Sequence, residues 1–300
     1  MSRIKIGVGG LALAAALVAG CSAAQSPSAS PATPTDSAAP SAVATAGASQ
    51  APAGAPAGLL KEGEVSACIT SEAYPPLEYF DVAGELTGFE VEAFKAVAGV
   101  WGVKPVHVTT TFEGLIPGLQ AQRCDLVWAG LYLSEKRMEV ADAVPELATG
   151  QVLLVPAGNP GGIKAEGDVC GKKIAIQSGG IVEQTIAAAS EACVAAGKPA
   201  IDIQAYQKVV DEFQQIALGR VNAVWETDMG VAGFMGENPG KYEIGYAFPK
   251  TDKFAVYLGK GKTEVQEALA AALRTLKADG TLLTLAEKYS IDPATLEVIE

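Results

Sequence analysis

The sequence predicts an α/β protein whose sheets are mainly parallel and flanked by helices. Three observations carry that prediction. Short apolar runs of strand length alternate with segments whose apolar residues recur at helical spacing. The connections between them are tight, as parallel strand–helix units require. The alternation also occurs twice, and then one further strand and two helices close the chain. With 300 residues there is room for two modest domains.

The chain opens on Arg3 and Lys5, followed by the apolar run LALAAALVAG. This run is too short for a membrane span and has a small-residue end, so residues 1–20 read as a secretory leader. Val18-Ala19-Gly20-Cys21 resembles a bacterial lipoprotein box, which makes Cys21 the acylated first residue and ties the protein to a membrane. Residues 21–60 are dominated by Ala, Ser, Pro, Thr and Gly, with Asp36 the single charge before Lys61. Such a segment buries too little apolar surface to offset chain entropy and reads as a disordered tether.

From Glu64 the pattern changes. VSACIT (65–70) is a strand, and Tyr74-Pro75-Pro76 fixes a rigid loop at its end. Phe89, Ala93, Ala96 and Val97 place a helix that stops near Gly102. PVHVTTTF (105–112) is a strand, GLIPGLQAQ a short helix and CDLVWAG the next strand. A second series follows: KIAIQ (173–177), a helix from about Gly180, AIDIQAY, a helix over Val209 to Leu218, and VNAVWE. FAVYLG (254–259) is a last strand. A helix with Val265, Leu269, Leu273 and Leu276 on one face comes next, then a short helix to Tyr289. Gln151 to Pro156 is a plausible first passage between the two units, and Thr251 to Val256 the passage back.

Charge and cysteine content narrow the function. The formal charge is −12 and becomes −14 once Arg3 and Lys5 leave with the leader, which argues against nucleic acid. A single histidine, His107 in a strand, and the absence of a CxxC pair argue against a zinc site. The stretch WAGLYLSEKR (128–137) has a lone Arg just past a buried strand. Arg137 is either an anion anchor at the strand end, where open α/β sheets bind ligands, or an exposed partner of Glu135 or Glu139.

Several pieces, in order, resemble the extracellular solute-binding proteins of ABC importers, family 3. They are Tyr74-Pro75-Pro76-Leu77, Gly84 to Glu92, Phe112 to Leu119, and Cys124-Asp125-Leu126-Val127 leading to Ser134-Glu135-Lys136-Arg137. Further on come Gly171-Lys172-Lys173-Ile174, Gln177-Ser178-Gly179 with Glu183, Gly219 to Val224, and Asp279-Gly280-Thr281 before Lys288-Tyr289. The resemblance covers about 62–290. It implies a two-lobe clam-shell of periplasmic-binding-protein type II, with lobe 1 from 61–152 and 253–300 and lobe 2 from 153–252. It further implies a monomer that binds a small molecule, an amino acid or a related anion-bearing solute, without a cofactor or a metal. The loaded form is handed to an ABC permease at the extracytoplasmic face of the cell membrane.

By the same resemblance, Tyr74 and Phe112 are aromatic lids on the ligand, although either also suits core packing. Arg137 clamps a carboxylate, and Gly130 and Tyr132 offer strand-edge bonds. Gly179 and Gly180 open a helix whose N-terminus suits an anion and also make a tight turn. The family's ammonium-binding acid falls on Thr227, with Glu226 before it and Asp228 after it; Asp228 is the expected substitute. Cys170 and Cys193 flank one strand–helix unit of lobe 2 and are expected to pair, while Cys68 and Cys124 pair or stay free. Two other functions fit the scaffold: an enzyme of dehydratase or decarboxylase type using Glu72, Glu226 or Asp228, and a ligand-sensing domain.

Overall fold

A computed structural model describes residues 54–300. The expected leader, Cys21 and most of the expected tether lie outside the described residues. The last part of that tether is bound to the folded body. Leu60 donates its N–H to Asp125 Oδ1 (2.6 Å), Gly58 O accepts from Lys262 Nζ (2.9 Å), and Leu59 packs on the core.

The elements in chain order are β1 (Glu64–Thr70), β2 (Tyr79–Phe80), β3 (Leu86–Thr87), α1 (Phe89–Trp101), β4 (Lys104–Thr110), α2 (Leu115–Gln120), β5 (Leu126–Val127), α3 (Glu135–Met138) and β6 (Ala141–Thr149). After Gly150 come β7 (Gln151–Pro156), β8 (Lys173–Gln177), α4 (Ile181–Ala195), β9 (Asp202–Tyr206), α5 (Val209–Ala217), β10 (Ala223–Thr227), α6 (Asp228–Glu237) and β11 (Tyr242–Ala247). The chain then finishes with β12 (Asp252–Gly259), α7 (Thr263–Ala278) and α8 (Thr281–Lys288).

Two five-stranded sheets result, ordered β4-β1-β5-β12-β6 and β11-β7-β10-β8-β9. Each is the centre of one lobe. The expected parallel pairing holds for β4-β1-β5 and for β10-β8-β9; the other half of each sheet is antiparallel, so the sheets are mixed. The reason is connectivity. β6, β7, β11 and β12 carry the chain between lobes, and a strand that leaves one sheet for the other has no helical crossover to bring it back parallel. Gly150 is the first passage, so β7 already belongs to the second sheet. Residues 248–251 form the return.

Apolar faces bury as the spacing predicts. Val65 and Ala67 of β1, Phe89, Phe94 and Val97 of α1, and Leu269 and Leu273 of α7 share one core. Ile174, Ile176, Ile186 and Trp225 centre another in the second lobe. His107 stacks edge-on against Phe94 at 5.1 Å, and burial lowers its pKa to about 4, which makes it a neutral packing residue. Both disulfides form, Cys170–Cys193 and Cys68–Cys124. The second ties β1 to the loop before β5, bracing the strands that carry the site.

Candidate functional site

Between the lobes lies a small cavity of about 30 Å³, room for one or two waters. Lobe 1 contributes Thr70, Glu72, Tyr74, Glu78, Phe112, Gly130 and Tyr132; lobe 2 contributes Gln177, Gly180, Ile181, Val182, Val209, Glu226 and Thr227. Every lobe-1 member comes from a strand end or the loop after it. That follows from the topology, because side chains at the carboxyl edges of β1, β4 and β5 face the facing lobe.

Tyr74 is the centre of the closure. Its loop is pinned by Tyr74 N–H donating to Glu78 O (2.6 Å) and by Leu77 N–H donating to Tyr74 O (2.9 Å). The phenol crosses to the other lobe, where Oη donates to Glu226 Oε1 (3.0 Å) and lies 2.5 Å from Thr227 Oγ1. Thr227 Oγ1 also accepts from Gly230 N–H (2.9 Å) and so caps α6. Two glycines of α6 receive the loop. A Cβ at Gly230 would meet the Tyr74 ring at 2.8 Å, and one at Gly233 would meet Pro75 O at 2.2 Å.

Burial raises the pKa of each carboxyl group around the cavity. Burial, then Glu90, pushes Glu78 well above the usual range; burial also raises Glu226 and Glu72. Behind them, burial carries Glu90 up to about 8 and holds Glu146 and Glu212 well above the usual range. Glu90 accepts the Gly130 N–H on both oxygens at 2.9 Å, which fixes the positive-φ turn (+57°) on which Gly130 sits.

Of the residues expected at the ligand, Tyr74, Phe112, Gly130, Tyr132 and Gly180 line the cavity. Some of their donors are already engaged: the Gly130 N–H by Glu90, and the Tyr132 hydroxyl by Gly150 O at 3.3 Å. Phe112 walls the cavity and also packs on the lobe-1 core, so both readings of it coexist.

Arg137 is half-buried at the lobe boundary and pairs with neither Glu135 nor Glu139 among the described ion pairs. It donates from Nη1 to Tyr132 O (2.9 Å) and from Nη2 across to Gly179 O (3.3 Å). It lines an adjoining groove of about 400 Å³ together with Gly179, not the cavity. The Gly179 N–H is taken by Glu183 at 2.9 Å.

Asp228 is not among the residues that line the cavity. It starts α6 and turns to the passage between lobes, accepting from Thr149 Oγ1 (2.8 Å) and Gly150 N–H (3.2 Å) and pairing with Lys250 (2.8 Å). The carboxyl group in that part of the cavity is Glu226. Of the three neighbouring positions the sequence offered, Glu226 and Thr227 reach the cavity, because β10 hands over to α6 at Thr227 and residue 228 turns away from the strand's face. Glu78 was missed, although its position directly behind the Tyr-Pro-Pro-Leu loop was a usable signal.

Two sheet-centred lobes joined by two passages, with a cavity and hydrogen bonds between them, define a type II periplasmic-binding fold. The chain belongs to the bacterial extracellular solute-binding proteins, family 3, whose model matches residues 67–292. It is 28% identical over 218 residues to the L-cystine-binding protein TcyJ of Escherichia coli K12, covering 72% of this chain and 79% of that one. It is 28% identical over 227 residues to the histidine-binding periplasmic protein of Salmonella typhimurium, covering 73% and 85%. Among solved structures, an ancestral arginine-binding protein aligns with a TM-score of 0.69 and 30% identity over 76% of this chain and 98% of that one. The same comparison values hold for its arginine-bound and glutamine-bound forms.

Proposed function

We propose that this protein is the solute receptor of an ABC importer, capturing an amino acid or a related small polar solute between its lobes. It would be held at the outer face of the membrane by lipid on Cys21 and deliver its solute, as a monomer, to a permease. The observation that carries the reading is the interlobe cavity bridged by Tyr74 of one lobe bonding to Glu226 and Thr227 of the other. A contact of this kind can form and break as the lobes swing about Gly150 and residues 248–251, and a solute that prefers the closed form shifts the balance. The binding roles of the relatives named above, for cystine, histidine and arginine, support the amino-acid class.

No catalysis enters this reading. Glu226 has its carboxyl occupied by Tyr74 and Thr227, and Asp228 is committed to Lys250, so neither stands as a general base over a substrate. The test is native mass spectrometry of the gently purified protein, followed by calorimetry with any solute found and small-angle scattering with and without it. A protein that carries no solute, and that no amino acid compacts, overturns the reading. Metabolic labelling with a fatty acid, lost in Cys21→Ser, checks the anchor.

A further inference from the structure

We propose that Asp228 is a positioning residue for closure: its carboxyl group staples both interlobe passages to the start of α6 when the lobes are closed, and so sets how firmly a solute is retained. The inference rests on the receptor reading and deepens it, because it gives a residue outside the cavity control of the open–closed balance.

Asp228 is the first residue of α6, yet its carboxyl group serves none of that helix's own N–H groups. Thr227 caps the helix instead, through Gly230. The contacts of the Asp228 carboxyl group all leave the helix. Oδ1 accepts from Thr149 Oγ1 (2.8 Å) and from Gly150 N–H (3.2 Å), and Oδ2 pairs with Lys250 Nζ (2.8 Å). The backbone returns the grip, since Asp228 N–H donates to Gly150 O (2.9 Å). One residue thus holds the first passage at Gly150 and the return passage at Lys250.

The bond to Thr149 crosses the pivot. Thr149 ends β6, where it opposes Asp252 of β12 in the lobe-1 sheet, and it is fully buried. Asp228 directly follows β10 of the lobe-2 sheet. Rotation about Gly150 and residues 248–251 moves β6 against α6 and stretches this bond. The two passages also touch each other. A Cβ at Gly150 would lie 3.0 Å from Lys250 Cγ, so a shift in either passage is felt at the Asp228–Lys250 pair. The Asp228 side chain is 13% exposed and that of Lys250 58%, which makes the buried bond to Thr149 the stronger part of the staple and the ion pair the weaker.

The same turn of α6 faces the cavity. Thr227, one residue earlier, meets the Tyr74 hydroxyl at 2.5 Å, and Gly230 and Gly233 receive the Tyr74–Pro75 loop. The start of α6 is therefore one rigid piece with the closure contact on one side and the staple on the other. Linkage makes the coupling reciprocal: a solute that holds the cavity shut holds the staple in register, and the staple holds the solute.

The experiment compares the parent with Thr149→Val, Asp228→Ala, the double variant and Lys288→Met. Lys288 pairs with Glu92 (2.7 Å) within lobe 1 and controls for losing an ion pair away from the passages. Calorimetry uses L-arginine, L-histidine, L-cystine and L-glutamine. Release is followed by stopped-flow tryptophan emission, to which Trp225 contributes from its stack on Phe248 beside the return passage (4.6 Å). The solute-free proteins are compared by small-angle scattering.

Thr149→Val keeps the side-chain shape. It should weaken the amino acid that the parent binds most tightly by about tenfold, and Asp228→Ala by about a hundredfold. The double variant should lose no more than Asp228→Ala, because the shared bond can be lost only once. The loss should lie in faster release with association unchanged, and the melting temperature of Thr149→Val should stay within a few degrees of the parent's. Where the solute-free parent is already closed, the loss appears instead as a larger radius of gyration in the variants.

Thr149→Val and Asp228→Ala proteins with the parent's affinity, release rate and radius overturn the proposal. So does a Lys288→Met protein that matches their loss, or a double variant in which the two losses add. If none of the four amino acids binds, the solute-free radii decide, and equal radii overturn it. The receptor reading falls only where native mass spectrometry also finds no solute carried, so the two failures are told apart.

Discussion

Replacing Gly233 by alanine should hold the lobes apart without harming either one. The added Cβ would lie 2.2 Å from Pro75 O and 2.8 Å from Pro75 C, both backbone atoms of a loop pinned by its own hydrogen bonds. Carbon and oxygen rest at about 3.3–3.6 Å, so the loop must retreat by roughly 1.1–1.4 Å. That retreat carries the Tyr74 hydroxyl out of reach of Glu226 and Thr227, which it now meets at 3.0 and 2.5 Å. Losing two such bonds, one to a carboxyl group, costs closure about 2–4 kcal/mol, roughly a 30- to 1,000-fold loss of solute affinity. Within α6 the change acts the other way, because Ala exceeds Gly as a helix former by about 1 kcal/mol. The variant should therefore melt no lower than the parent yet show a larger radius of gyration by small-angle scattering. A Gly233→Ala protein as compact as the parent, with unchanged solute affinity, refutes the account of closure.

Tyr74→Phe keeps the ring but removes the bridging hydroxyl, and should cost about 1–3 kcal/mol of closure with little change in urea stability. Equal scattering profiles for variant and parent would count against it. Removing the Cys68–Cys124 bond, which spans 56 residues, should destabilise by about 4 kcal/mol, against about 3 for Cys170–Cys193 with its span of 23, as read from denaturant midpoints of the paired serine variants. Glu146→Gln should alter the pH dependence of stability. Burial, then Glu90, raises the Glu146 pKa in the folded state above the ordinary 4.5. Its contribution is thus complete below that value and fades as pH rises toward the folded pKa, by about 1.4 kcal/mol per pH unit. Urea midpoints of the variant should gain on the parent as pH rises above about 5, and parallel curves would exclude the effect.

How much of this was legible follows from where each signal resides. The β8–α4 unit was readable because Ile174 and Ile176 form a short apolar run and two glycines mark the turn into the helix. α6 (DMGVAGFMGE) was not, since three glycines and apolar residues on all sides leave no stripe to detect. Two of its glycines, Gly230 and Gly233, make sense only against the Tyr74–Pro75 loop, a contact between residues about 155 positions apart. β6 was hidden in a similar way. Pro145 inside ADAVPELAT argues against a strand, but it sits at a register shift, where Pro145 opposes Ala255 and Leu147 opposes Phe254. Glu146 is the extra residue of that bulge. Its side chain is thereby turned into the core beside Glu90, a burial no alternation pattern would assign to it.

The site shows the limit of motif matching at single-residue resolution. The ordered matches were sufficient for the fold and for the loop bearing Tyr74, because turn residues and buried strands are local properties of sequence. The electrostatic character of the cavity is not local. It depends on Arg137 spending its donors on Tyr132 and Gly179, on Asp228 closing with Lys250, and on Glu78 and Glu226 lining one cavity from opposite lobes. Each of these outcomes is decided by a partner 5 to more than 100 residues away. Which partner each of these residues meets is therefore set by the packing around Tyr132 and by the handover from β10 to α6.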